Sequence, residues 1–219
     1  PLESLAHEAH YLAVTLAELL DDQPEALGLA ALISFSLARV GARCDGDEYV
    51  PLDEQDPRAW DTRLITLGER YLQRAHAHGS IGRFQLEAAI QSVHCARRVS
   101  GVTDHDALRR LYAGLVAVAP TLGAHVAHAA AIGRTDGPVA GLAALDAVAA
   151  LDGDAARRFQ PAWAARAHLL AEAGRLEEAI AAYDKAISLT TDAAARTYNI
   201  LMAEGRRVVA ALLPNKETE

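Results

Sequence analysis

Apolar residues recur at three- and four-residue steps almost from end to end of this chain, and that period constrains its fold more than any other feature. Leu5, Leu12, Leu16, Leu19 and Leu20 form the first stripe. One face of a helix presents residues at that spacing, whereas a half-buried strand needs strict alternation. The stripes are punctuated by Pro and Gly. Asp21-Asp22-Gln23-Pro24 ends the first predicted helix and opens a second over 24–39, because Pro suits a first helical turn and disfavours helix in the residue before it. Further helices are predicted over 58–77, 83–99, 105–118, 120–133, 139–151, 161–173, 176–190 and 192–213. Thr103 or Asp104 can cap the helix that starts at 105, and Pro120 and Pro138 open two others. The count is about ten helices and no strand. The connections are short, so neighbours are expected to be antiparallel hairpins. The expected fold is all-α: a right-handed array of antiparallel helical hairpins forming a superhelix, in one domain over 1–213 with a frayed polar tail at 214–219.

Composition excludes the main alternatives. Hydrophobic residues make up 51% of the 219, yet aromatics only 5%. Ala and Leu supply the difference, and both favour helix over strand. Disorder is excluded by the same apolar content. The 21 basic and 29 acidic residues leave a net charge of −8. A surface that grips phosphates has the opposite balance, so no direct nucleic acid contact is expected. Two cysteines, Cys44 and Cys95, make no disulfide framework and suit a reducing compartment. No apolar run is read as long enough for a membrane span, and Pro1-Leu2-Glu3-Ser4 lacks the basic start of a signal peptide. A cytoplasmic protein with no membrane partner is expected.

Residues 160–193 match one tetratricopeptide unit through Trp163, Ala167, Leu170, Gly174, Ala179, Tyr183 and Ala186. Small residues in this pattern let two helices approach, and large ones fill the groove to the next hairpin. Arg166 replaces an apolar residue and Thr191 stands where Pro is usual. Residues 122–151 read as a degenerate second copy, through Asp136-Gly137-Pro138 and Ala140. One repeat cannot bury its own face, so it must stack on other helices.

Residues 40–57 read as irregular. Gly41, Gly46, Pro51 and Pro57 interrupt them, and they hold Asp45, Asp47, Glu48, Asp53, Glu54 and Asp56. Long loops in compact domains are commonly functional. The order Asp45-Gly46-Asp47-Glu48, Leu52, Gln55-Asp56 and Trp60-Asp61 carries a resemblance. It continues through Leu64-Ile65, Arg74-Ala75, Gln85 to Ile90, His94, Asp136-Gly137-Pro138, Gly141-Leu142, Leu145-Asp146, Gly174-Arg175 and Glu178-Ala179 to Tyr183. Over roughly residues 5–190 the chain resembles the long C-terminal, tetratricopeptide-like extension of some extracytoplasmic-function RNA polymerase sigma factors. The resemblance implies an all-helical accessory module that acts in transcription initiation. Its implied partners are sigma-factor DNA-binding domains, RNA polymerase or a regulatory protein. The chain departs from the family at Ala127-His128, where an Asn-Arg pair is usual, and along 196–207. No promoter-reading helix-turn-helix is present in the sequence.

Candidate site residues fall into two groups. Asp45, Asp47, Glu48, Gln55, Asp56, Trp60 and Asp61 form the first, assigned to a partner or ligand. Trp joins apolar area to one N–H donor, and Gln and Asp add directional contacts, a mixture that suits a loop anchor or an interaction surface. The loop anchor is favoured for Trp60 and the interaction role for the acidic tip. Asp45, Asp47 and Asp56 offer oxygen ligands to a hard cation, but position six of an EF-hand would be Val50 rather than Gly. No metal site and no cofactor are assigned. Nine histidines supply the second group. His125 and His128 lie three apart among alanines, and with His94 and Tyr112 they define an alternative reading: a stand-alone small-molecule binder or enzyme using the superhelix cavity. His7 with His10, and His76 with His78, match no zinc motif. Cys95 follows His94, but adjacent helical residues point about 100° apart and do not pair. The leading reading is a non-enzymatic module.

Overall fold

The structure, a computed structural model, describes residues 2–20, 23–45, 48–151, 153–191 and 193–212. The described residues form eleven α-helices: α1 (Leu2–Leu19), α2 (Pro24–Ala38), α3 (Thr62–Ala77), α4 (Arg83–Ser100), α5 (His105–Val118), α6 (Leu122–Asp136), α7 (Pro138–Leu151), α8 (Gly153–Arg158), α9 (Gln160–Glu172), α10 (Leu176–Leu189) and α11 (Ala193–Leu212). The fold is an all-α helical array, as the periodicity predicts.

Four local differences have physical causes. Residues 40–57 are not wholly irregular: they hold a 3-10 turn at Val40–Ala42, two-residue extended segments, β1 (Cys44–Asp45) and β2 (Glu48–Tyr49), and the first residue of a second 3-10 turn at Pro57–Ala59. The helix predicted from Arg58 starts at Thr62. Asp56 closes a single turn by accepting from Arg58 N at 2.9 Å, and Asp61 then caps α3 by accepting from Arg63 N at 2.8 Å and Leu64 N at 3.2 Å. The helix predicted from Pro120 starts at Leu122, because Thr121 Oγ1 accepts from Ala124 N at 3.2 Å and makes Thr121 the cap. Helix α8 is absent from the sequence reading, since six residues are too short to show a period.

The chain divides into two compact units, Pro1–Gly46 with Val50–Pro120, and Asp47–Tyr49 with Thr121–Glu219. In the first, α2 is the central helix and packs on α1, α3 and α4. Leu27, Ala30, Ala31 and Phe35 are fully buried. Close approach is made by glycine: a Cβ at Gly28 would lie 2.7 Å from the Gln85 backbone nitrogen, and one at Gly68 would lie 3.0 Å from the Phe35 ring. The stretch Pro24–Ala42 is 19 residues long with a mean hydropathy of 1.4. That corrects the expectation that no apolar run reaches spanning length. Its apolarity serves burial, because α2 presents apolar residues to helices on several sides. α1 differs from its sequence stripe. Ala13 and Ala17 face the core, while Leu5, Leu12, Leu16, Leu19 and Leu20 are 41–74% exposed.

The second unit stacks the hairpins α6–α7 and α9–α10 with α11 against α10. Ala167, Leu170, Ala179, Tyr183 and Ala186 of the tetratricopeptide pattern are buried. Gly174 adopts a φ of 76° in the left-handed region, where glycine is favoured, and turns the chain between α9 and α10. The unusual Arg166 forms an ion pair with Asp146 of α7. In the degenerate copy, α6 and α7 approach through Gly133 and Gly141: a Cβ at Gly141 would lie 2.8 Å from the Gly133 Cα.

Candidate functional site

The segment 50–61 is built from its own polar side chains and one arginine. Glu54 N and Gln55 N donate to the Pro51 carbonyl at 2.9 and 3.1 Å, which curls the chain into a turn. Gln55 is buried, and its Nε2 donates to the Val50 carbonyl at 3.1 Å. Asp61 N donates to the Ala38 carbonyl at 2.9 Å and ties the far end of the segment to the C-terminus of α2. Trp60 is 2% exposed in the core formed by α1 to α4.

Arg97 of α4 locks this arrangement. Its Nη2 donates to the carbonyls of Leu52 and Gln55, each at 2.8 Å, and its Nη1 donates to that of Asp53 at 3.0 Å. The guanidinium carbon stands 5.1 Å from the Trp60 ring centroid. A planar five-donor fork can satisfy several carbonyls and stack on an aromatic face at once, which an ammonium cannot. Gln55 Oε1, Trp60 Nε1 and Arg97 Nε are buried without a hydrogen-bond partner. Asp56 lies outside this buried knot and pairs with Arg58 at 2.9 Å, and the Arg58 hydrogen bonds hold its carboxyl below the usual range.

The sequence-predicted residues therefore take distinct places. Trp60 is the loop anchor that its chemistry suggests. Gln55 is an internal brace, and Asp56 and Asp61 are turn and helix caps. Asp47 and the side chains of Asp45 and Glu48 lie outside the described residues. Arg97, which connects the pattern, escapes sequence reasoning. Its paired neighbour Arg98 gives it the look of a solvated charge, and no local spacing points 42 residues back to Gln55.

A second polar group sits on the same unit. Arg39, 6% exposed at the C-terminus of α2, donates Nε to the Phe35 carbonyl at 3.4 Å and Nη2 to Gln91 Oε1. Burial pushes the His94 pKa down to about 4, with the Arg39 charge adding to the effect. Burial raises the Cys95 thiol to about 11 and raises the Tyr112 hydroxyl. At neutral pH all three are uncharged. A histidine of that acidity is a weak base, and a thiol of that pKa is a poor nucleophile. His125 and His128 belong to α6 of the second unit, where both are half-buried. His10 Nε2 and Ser34 Oγ lie 3.0 Å apart. Ser34 already donates to the Ala30 carbonyl at 2.7 Å, so His10 is the donor. Among the described residues no three His, Cys, Asp or Glu side chains gather to hold a metal ion.

Comparison with known proteins adds three findings. No solved structure matches the chain. The chain is 31% identical over 195 residues to an uncharacterized protein of Rhizobium meliloti (strain 1021); the match takes in 89% of this chain and 45% of that relative, so the chain spans about half the length of the curated relative it matches. Residues 2–76, which contain the acidic loop and the Gln55-Asp56 and Trp60-Asp61 pattern, match the model of a family described as a family of unknown function (DUF6596).

Proposed function

We propose that this chain is a non-enzymatic interaction module, related to the C-terminal extension of an extracytoplasmic-function sigma factor, that acts in the control of transcription initiation. The observation that carries this reading is the Arg97 clamp. Gln55, Asp56, Trp60 and Asp61, which carry the resemblance, are used to fix the backbone of 50–61. Directly before that fixed segment in sequence come Asp45, Asp47 and Glu48. A fixed backbone next in sequence to an acidic stretch reduces the entropy that binding must overcome, and the charge of that stretch favours a basic partner. The partners that fit are sigma-factor DNA-binding domains, the polymerase or a basic regulatory protein. The neutral, low-reactivity states of His94, Cys95 and Tyr112 support a binding role over turnover.

The test is binding of the chain to purified core RNA polymerase and to sigma DNA-binding domains by interferometry. The charge-reversed variant D45K/D47K/E48K is compared with the parent. The expected result is saturable binding to one of them, weakened roughly tenfold or more by reversal, with the effect shrinking at high salt. Absence of binding to both, or an affinity indifferent to the reversal, overturns the reading.

A further inference from the structure

A cavity of about 420 Å³ opens on the first unit, lined by α3 and α4 with Leu111 of α5. It shares no residue with the Arg97 clamp or the Arg39 group. Its volume falls in the range of small-molecule sites, roughly 300–1,000 Å³. Leu72, Leu86 and Leu111 supply apolar wall, and Ile81, 64% exposed in the α3–α4 connection, stands at the mouth. The polar lining is uneven. Glu69, Gln73 and His76 fall at i, i+4 and i+7 on α3 and so share one side. Among the described residues Glu69 is the one carboxylate in the lining, and no Lys or Arg lines it. The floor is fixed: Gln85 donates Nε2 to the Ser80 carbonyl at 2.9 Å and its backbone N to Glu25 Oε1 at 3.3 Å. The site is thus preformed, apolar within and anionic at one edge.

We infer that this cavity binds a small amphiphile with an apolar body and a cationic, ammonium-class head, the body against Leu72, Leu86 and Leu111 and the head beside Glu69. Apolar burial supplies the affinity, and the carboxylate selects the sign of the head. The inference stands apart from any protein partner, since none of its residues belongs to the segment 45–61.

The test uses Nile red, a neutral apolar dye, displaced by decylamine or by decanoate, which share a chain and differ in the sign of the head. Nile red fluorescence is expected to rise on mixing with the parent chain. Decylamine should displace the dye at a concentration about fivefold lower than decanoate, the size that an exposed carboxylate supports when it attracts one head and repels the other. In E69Q the two should fall within about twofold. A89F fills the cavity and should abolish the dye signal while its circular dichroism stays that of the parent. I81R, at an exposed position, keeps the test independent of core packing: it puts a cation at the mouth and should shift preference toward decanoate. Dye binding that survives A89F in a folded protein, or equal displacement by both heads in the parent, overturns the inference. So does a preference that neither E69Q nor I81R moves.

Discussion

Arg97 makes three backbone contacts with carbonyls 42–45 residues earlier in the chain and one aromatic contact with Trp60. Removing it leaves carbonyls in a partly buried site without donors, and each such loss costs about 1–3 kcal/mol. R97A is therefore expected to lower the stability of the first unit by about 2–4 kcal/mol. R97K should recover less than half of that, because one ammonium cannot reach the same carbonyls and stack on Trp60. Urea unfolding read by Trp60 fluorescence in a W163F background measures both. His94 yields a second prediction. Its folded pKa of about 4 lies below the ordinary histidine value of 6.5, so the unfolded chain takes up the proton first. The stability tied to neutral His94 is fully present above about pH 6.5 and is lost as pH falls toward 4. The shift corresponds to roughly 3 kcal/mol. H94Q should flatten the stability-versus-pH curve in that window and leave it parallel to the parent above pH 7. A curve of unchanged slope would contradict the assignment. Capping and aromatic chemistry at Asp56, Trp60 and Asp61 can be read locally, because an Asp two residues before its N–H partner is a short-range signal. Arg97 and Arg39 cannot, because what defines them is distant in sequence: the carbonyls of Leu52, Asp53 and Gln55 for Arg97, and the Gln91 side chain for Arg39.

At the scale of elements, α4 shows how one helix borrows its cap from another. Gly82, at its N-cap position, offers no side chain. Glu25 in the first turn of α2 supplies the acceptor instead, taking Phe84 N at 2.9 Å and Gln85 N at 3.3 Å. A carboxylate there satisfies free N–H groups and meets the positive end of the helix. E25A should cost about 1–2 kcal/mol, and E25Q less, since the amide still accepts. The helix-to-helix crossings depend on glycine in the same inter-element way. G141A would force a methyl to 2.8 Å from the Gly133 Cα and should lower the melting temperature of the second unit. The expected cost is about 1–3 kcal/mol, read by differential scanning calorimetry. Most helices were legible because a 3.6-residue period survives in a single sequence. The face each buries was less so. In α1 the long leucine stripe is exposed and small Ala13 and Ala17 meet the core, because close approach to α2 selects for size as well as apolarity. The α3–α4 cavity was not legible at all, since it arises where three helices fail to fill a space, and no residue pattern records a void.

Charge argues for the whole molecule. The net charge is −8, and among the described residues six arginines already face carboxylates: Arg58 with Asp56, Arg83 with Glu87, Arg157 with Asp154, Arg166 with Asp146, Arg175 with Glu178, and Arg207 with Asp184 and Glu204. Exposed pairs of this kind add little stability, with a median of about 0–1 kcal/mol. Their effect is on the field: each places a carboxylate beside a guanidinium that would otherwise attract phosphate. Duplex DNA binding gains its energy from releasing counterions as cations meet phosphates, and these cations already have anionic partners. The chain alone is therefore expected to show no saturable binding to a 30-base-pair duplex at 0.15 M salt, at protein concentrations up to about 10 µM. Fluorescence anisotropy of a labelled duplex measures this, with repetition at 0.05 M salt to separate weak electrostatic association from none. Submicromolar binding at 0.15 M salt would require a cationic surface that the paired arginines do not provide, and would count against a role confined to protein partners.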